Sequence, residues 1–486
     1  MNSSLLFLVF LATVPGFGPN VRVDHQYQSQ YTCGYCAIAL GPGAPSSQPV
    51  YVAFEGDTLP GGRCDVWFQK STDAGRTWLP TDLLIQRGEP WAGEPDITTD
   101  SAGNVYVAYS PTDSAGHDQI VCVRSSDGGA TWTAPVPVAD SSDGRIGFLQ
   151  IAAGTAGNLL VAWNQGGVSH VFSSVSTDSG ATWSPRVRVD EDTTNEGCYH
   201  PDVFIQPGTN HYLVAADVPR WFETSPHIRP CAYLYRSTDR GLTFQPGVQL
   251  DTFDHYASWP HVVADRDHII CDYFGEGQHS PMLVEARTFY TQPDTWGTPY
   301  SVTNLDSLYH LDYSGPLALS ADGRVHTALM IYDTVERRTN VSYASSWDHG
   351  VSWSDLALVN EDTLSTGFPD IGADSDGYAY VVWAQGPDGC FRIWFATNNP
   401  LAIAEQPTQQ RIGEQPFASV IRGVLLLPRC LGLSIPSTLL DIGGRKIMDL
   451  TPGANDVSRL SPGVYFVREA QAQAQAQAVR KVVVTR

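Results

Sequence analysis

Residues 71–78 read STDAGRTW, and the phrase returns as SSDGGATW at 125–132 and STDSGATW at 176–183. Looser copies are STDRGLTF at 237–244 and SSWDHGVSW at 345–353. The closing aromatics are Trp78, Trp132, Trp183, Phe244 and Trp353, so the spacings are 54, 51, 61 and 109 residues. The last is about twice one repeat, which calls for a degenerate copy between. QPDTWGTP supplies it with Trp296.

A second series runs in step with the first. VYVAF at 50, VYVAY at 105, LLVAW at 159, YLVAA at 212, IICDY at 269 and VHTALMIY at 325 each precede a signature. AYVVW at 379 is followed by CFRIWFATN and no signature. Ahead of most of these runs lies another short strand: EPDITTD, YHPDVFIQ, WPHVVAD or FPDIGAD. Each unit therefore reads as four antiparallel strands, with the signature in the hairpin joining the third to the fourth.

Four-stranded units at this period predict an all-β chain built as a β-propeller. The seventh unit lacks an outer strand, and PNVRVDHQ at 19–26 copies PRVRVDED at 185–192, the outer strand of the third unit. A strand from the start of the chain would then complete the last blade and hide both edges. The expectation is seven blades, or six if the last unit is rudimentary. In the signature, Asp73, Asp127, Asp178, Asp239 and Asp348 can accept backbone N–H groups, while the Gly supplies φ > 0. The Trp or Phe packs against a blade. None of these tasks needs a substrate, so the signature is read as a fastener.

The rest of the composition suits this. Of 486 residues, 42% are hydrophobic and 16% charged, with 44 Gly and 33 Pro. Fifty-one acidic against 29 basic residues give a net charge of -22, which argues against nucleic acid or an anionic membrane surface as partner. No cofactor is expected; Ca²⁺ in Asp-rich loops is compatible with the composition, although no stretch has EF-hand spacing. The nine Cys residues form no compact disulfide framework, and CxxC at Cys33 and Cys36 stands without a second such pair. Residues 5–14 are an apolar run too short for a bilayer and fit a signal peptide over 1–18, though no basic residue precedes them. No later segment is long and apolar enough for a membrane helix.

The repeats resemble the Asp-box (BNR) repeats of sialidase-like propellers, over about residues 20–400. The resemblance implies an active site on the face opposite the Asp boxes, with an arginine triad, an Asp acid/base and a Tyr nucleophile activated by Glu. It puts Glu55, in VYVAFEGD, at the Glu of the family's Glu-Gly-Arg element, and Tyr313, in DYSGP, at the nucleophile. The family's Arg-Ile-Pro is absent, where the chain reads CGYCAIAL, and Asp57 replaces the Arg of Glu-Gly-Arg. Two charge-reading positions are lost, which counts against sialic-acid hydrolysis.

Loops opposite the boxes are rich in groups that sugars use. GEPWAGEPD offers Glu89, Trp91, Glu94 and Asp96; NEGCYHPD offers Glu196, Tyr199, His200 and Asp202. DVPRWFETSPHIRPC, the longest insertion, offers Arg220, Trp221, Glu223, His227 and Arg229. DTFDHYASWPH offers Asp254, His255, Tyr256, Trp259 and His261, and Glu276, His279, His310 and Asp312 follow. Aromatic faces beside carboxylates make a glycan platform. Acid/base carboxylates, if the protein is a glycosidase, would be drawn from Glu94, Glu196, Glu223 and Asp254. Loop histidines are read as hydrogen-bonders rather than metal ligands, so no metal site is assigned.

Residues 401–486 hold ten Lys/Arg and six Asp/Glu, a compositional break from the acidic body. The expected division is a propeller over 19–400, a linker over 401–410 and a small Ig-like β-sandwich over 411–486. DIGGRKI, LSPGVYFV and the final RKVVVTR resemble the C-terminal sorting domain of bacterial type IX secretion cargo. That resemblance implies the type IX machinery as a partner and a secreted or surface location in a bacterium; AQAQAQAQA at 470–478 reads as a loop expansion. The chain is expected to be a monomer that binds glycans or cell-surface proteins, with glycoside hydrolysis as the alternative and a purely structural surface-layer protein third.

Overall fold

Seven antiparallel sheets are built along the first 400 residues, each on four strands with one extra short strand in two of them; six keep the order of the chain and the seventh takes its outer strand from the chain start. The computed structural model describes residues 16–25, 34–56, 64–88, 91–113, 115–140, 144–194, 196–221, 228–251, 256–276, 282–291, 295–303, 309–313, 315–360, 364–386 and 391–401, and in the tail 420–421, 424–427, 437–441, 445–450, 453–457, 460–461, 463–469 and 479–484. The chain divides into two compact units, Met1–Ala404 and Glu405–Arg486.

The first unit is an all-β propeller of seven blades, with one 3₁₀ turn at Pro45–Ser47 among its described residues. Blades one to six run from Cys36–Leu40 to Ala357–Leu358. The seventh, Thr366–Ala373, Ala379–Gln385 and Arg392–Thr397, takes its outer strand from Val21–Arg22, with Val21 opposite Phe395. The likeness of VRVD at 21–24 to VRVD at 187–190 is a likeness of role. Asp24 accepts the Ile393 N–H at 2.9 Å, and Asp190 accepts the Val171 N–H at 2.6 Å.

The five Asp boxes share one network. The Asp Oδ1 accepts the Ser hydroxyl two residues earlier, at 2.7–2.8 Å. It also accepts the backbone N–H four residues later, at 2.8–2.9 Å, and Oδ2 takes that residue's hydroxyl at 2.6–2.7 Å. Bonds from Thr131 hold the Asp127 carboxyl down to about 2. The closing aromatic reaches the blade before its own: Trp78 meets Phe395 edge-on at 5.2 Å, and Trp132 meets Phe68 at 5.1 Å. Gly75 needs more than its φ of +89°, because a Cβ there would come within 2.2 Å of the Phe395 ring. The boxes are thus inter-blade fasteners. The eroded copy differs, with Trp296 in a two-residue strand paired to Phe289.

Sheet cores fill the spaces between blades, with Trp163, Trp383, Tyr109 and Tyr380 fully buried. The described cysteines, Cys36, Cys64, Cys122, Cys198, Cys231 and Cys271, are all buried. Cys33, Cys390 and Cys430 lie outside the described residues, as do residues 1–15 and 470–478. In the second unit, Val420–Ile421, Val479–Val484, Gly463–Glu469, Ser437–Leu440 and Lys446–Leu450 form one sheet, and Val424–Leu427 pairs with Gly453–Asp456. Leu439, Leu450 and Val457 make its small core.

Candidate functional site

The first strands of the blades contact one another around the ring, and five of them break register near their starts. The skipped segments are Gly93/Asp96, Gly147/Gln150, Tyr199/Asp202, Ser258/His261 and Gly367/Asp370, so two residues face one on the second strand. Each bulge holds a non-glycine residue at positive φ: Glu94 (50°), Phe148 (48°), His200 (51°), Trp259 (52°) and Phe368 (42°). Four of the five are followed by Pro, which cannot donate to the ladder and so belongs at a bulge. The left-handed backbone costs such a residue about 1–2 kcal/mol. Here the strain is repeated, and all five residues line the mouth of the central channel, an opening of roughly 810 Å³ counting its solvent-open part.

The mouth is aromatic on two sides. Trp259 stacks on His200 with centroids 3.5 Å apart, and Phe148 meets both edge-on, at 4.6 and 5.6 Å. Across the ring order, Tyr35 stacks on Phe368 at 4.8 Å. Asp217 holds His200 Nδ1 at 2.9 Å and also accepts the Ser258 hydroxyl at 2.6 Å. Nε2 is left as the nitrogen through which the imidazole can address a ligand. Glu94 supplies the acidic group of the bulge ring. Its Oε2 accepts the Phe148 N–H at 2.7 Å, and burial pushes its carboxyl up against that bond.

One step deeper lie Asp96, Gln150, Asp202, His261 and Asp370. The three Asp residues cross to the next blade: Asp96 accepts the Ile151 N–H, Asp202 that of Val262 and Asp370 that of Ile38, each at 2.7 Å. They are staples first. Burial raises all three carboxyls, Asp202 to about 6 and Asp370 to about 7, with their mutual repulsion adding to it. Burial alone would lower the His261 pKa, but its bond to Asp272 at 3.0 Å and the surrounding acids outweigh that and raise it.

Of the residues picked out from sequence, Glu94, His200 and Trp259 meet at the mouth, with Asp96, Asp202 and His261 beneath them. They start first strands (Trp91–Thr99, Tyr199–Ile205, Ala257–Ala264) rather than sitting in loops, which corrects the sequence expectation. The bulges keep these segments inside the sheet. The long insertion likewise extends a hairpin, Tyr212–Trp221 with Ile228–Ser237, where Arg220 faces Arg229 and Trp221 is 60% exposed. Arg220 donates to the Tyr233 hydroxyl at 2.8 Å. Trp91 lies against Gly93, Tyr199 is exposed beside His200, and Glu196 is exposed with its N–H on Thr194 Oγ1. None of Trp91, Tyr199, Glu196, Arg220, Trp221 and Arg229 is among the described lining residues.

Glu55 is buried and accepts the N–H of Glu94, so it supports that bulge. The backbone of Tyr313 ends the strand Tyr309–Tyr313, opposite Met330. Its side chain, and residues Glu223, Asp254 and His255, lie outside the described structure. Sequence reasoning missed Tyr35, Phe148 and Phe368. For Phe368 the available signal was Pro-Asp inside a strand, which marks a bulge; Tyr35 and Phe148 carry no such mark.

A family model for a BNR repeat-like domain matches residues 50–271. No curated protein matches. Among solved structures, a protein of unknown function from Dyadobacter fermentans is 15% identical, with a TM-score of 0.45, over 78% of this chain and 97% of that one. An ulvan lyase of a polysaccharide lyase family is 12% identical, with a TM-score of 0.45, over 79% of this chain and 90% of that one. The Trypanosoma rangeli sialidase with difluorosialic acid is 11% identical, with a TM-score of 0.45, over 80% of this chain and 60% of that one. At these values the likenesses carry no argument about activity.

Proposed function

Given a BNR-repeat domain on a seven-bladed propeller of sialidase-like fold, we propose that the channel mouth binds extracellular glycans, free or displayed on surface proteins. The observation that carries this is the set of five strained bulges, which aim Glu94, Phe148, His200, Trp259 and Phe368 at one opening. Stacked aromatics offer flat apolar faces to sugar rings, and Glu94 and His200 offer hydrogen bonds at their edges. The described lining residues include no Lys or Arg. A neutral sugar suits such a mouth better than sialic acid or a uronate, whose carboxylate would meet Glu94 and the acids beneath it.

A second reading is supported by one pair. His200, oriented by Asp217, has the arrangement of a general base, and Glu94, with its carboxyl raised, has that of a proton donor. Glycoside cleavage at the mouth would use these two rather than Glu55. The N-terminal apolar run and the tail motifs support export to the cell surface, with the second unit as a type IX sorting domain. No helix among the described residues is long and apolar enough to cross a membrane.

The test is a glycan array and a chromogenic-glycoside panel run on the whole chain, beside Trp259→Ala, Glu94→Gln and His200→Ala. Binding without turnover, lost in Trp259→Ala, is the expected result. Turnover lost in Glu94→Gln or His200→Ala would establish the second reading. Silence in both assays would overturn both.

A further inference from the structure

The seam between the fifth and sixth blades holds side chains that the channel does not use. In three other Asp boxes the residue at the positive-φ position bonds through its main chain to the first turn of its own blade. Ala74 donates to Gln48 O at 3.0 Å, Ser179 to Gly157 O at 2.9 Å and Arg240 to Asn210 O at 3.3 Å. In the sixth-blade box that position is His349, at φ 57°, and its side chain instead reaches across the seam to Asp265 and His268, at the first turn of the fifth blade. His268 Nδ1 lies 3.0 Å from both Asp265 oxygens, and His349 Nδ1 lies 3.6 Å from Oδ2. Oδ1 also accepts the N–H groups of Asp267 and His268, at 2.7 Å each. Oδ2 is thus presented to both imidazoles. His349 Nδ1 is buried with no hydrogen-bond partner, while its side chain as a whole is 31% exposed.

We propose that Asp265, His268 and His349 bind a divalent cation of the zinc class and clamp the fifth blade to the sixth. Two imidazoles and one carboxylate oxygen are a ligand set such ions take, with solvent completing the shell. Bonds of about 2.0–2.1 Å in a tetrahedron place neighbouring ligand atoms about 3.3 Å apart, and the distances here, 3.0 and 3.6 Å, bracket that value. The two N–H bonds to Oδ1 fix the carboxylate in the way outer partners orient a ligand. The imidazoles stack at 3.8 Å with planes 14° apart, so a shared ion draws the two Nδ1 atoms to one point and splays the rings.

The other cluster of ligand-type side chains among the described residues, His170, Asp190 and Cys198, is closed by its own bonds. The Asp190 carboxylate takes the Arg188 guanidinium at 2.8 Å and the Val171 N–H at 2.6 Å, and burial pushes the Cys198 thiol far up.

Zinc chloride titrated calorimetrically into the untagged, chelator-treated full chain tests this, with visible absorption of cobalt chloride as a second probe. One equivalent should bind and raise Tm, with the cobalt spectrum of a tetrahedral nitrogen-oxygen site. His349→Ala should weaken binding at least tenfold, and the first box already carries Ala74 in this position, so the box is retained. His268→Gln should do the same, and His170→Ala should leave binding unchanged. No stoichiometric binding, or binding that survives both His349→Ala and His268→Gln, would overturn the proposal.

Discussion

The indole of Trp259, on the fifth blade, lies on the imidazole of His200, on the fourth, with ring centroids 3.5 Å apart and planes inclined by 22°. Asp217 grips the other side of that imidazole at Nδ1. Both aromatic residues sit at positive φ. The mouth is therefore built from strained backbone held in place by packing, and its side chains have little freedom left to lose on binding a ligand.

That strain separates two variants of Trp259. Both Trp259→Ala and Trp259→Gly remove the stacking face and should lose glycan affinity alike. Only glycine removes the left-handed cost at φ 52°, so Trp259→Gly should be the more stable of the two by about 1 kcal/mol. Urea unfolding measures the difference; an alanine variant as stable as the glycine one would refute the strain.

The channel acids set the pH dependence. The Asp370 carboxyl is raised from 3.8 to about 7 and Asp202 to about 6, so between pH 4 and 7 the folded chain holds protons that the unfolded chain has released. Stability should fall as pH rises through that window and level off above it. Asp370→Asn should flatten the slope. Thermal melts from pH 4.5 to 8.5 check this, and a wild-type Tm that climbs across the window would contradict it.

The fasteners predict a graded response to alanine. Gly75→Ala meets both the left-handed cost and the Phe395 ring, whereas Gly116, at φ 85°, has open space around it. Gly75→Ala should cost about 2–4 kcal/mol and Gly116→Ala about 1 kcal/mol. Gly75→Ala should leave glycan affinity unchanged, because the boxes face away from the mouth. Equal unfolding midpoints would sink the packing argument.

Ring closure rests on the outer strand from the chain start. Asp24→Ala leaves the buried Ile393 N–H without its acceptor and removes the carboxylate that Arg22 donates to, which should cost about 1–3 kcal/mol. Limited proteolysis should then cut the first 25 residues faster than in wild type. Unchanged melting and cleavage would mean that closure does not depend on this bond.

Blade number and closure were legible because both rest on periodicity. Seven VYVAF-like runs and two copies of VRVD needed no knowledge of packing to be counted. The direction in which each box fastens was not legible, since Trp78 reaches Phe395 across more than 300 residues. The mouth was half legible. Glu94, His200, Trp259 and His261 stood out by type, but Phe148 and Phe368 look like core residues until a bulge turns them into the channel. Trp221 and Arg220 have the right chemistry and stand on a hairpin that does not line the mouth.

Calorimetric titration of the strongest array glycan into the wild type, Trp259→Ala and Trp221→Ala proteins tests the central claim most directly. Binding at the channel mouth predicts at least a tenfold loss, about 1.4 kcal/mol, in Trp259→Ala and wild-type affinity in Trp221→Ala. Wild-type affinity in Trp259→Ala, or loss confined to Trp221→Ala, would place the ligand elsewhere and contradict the account.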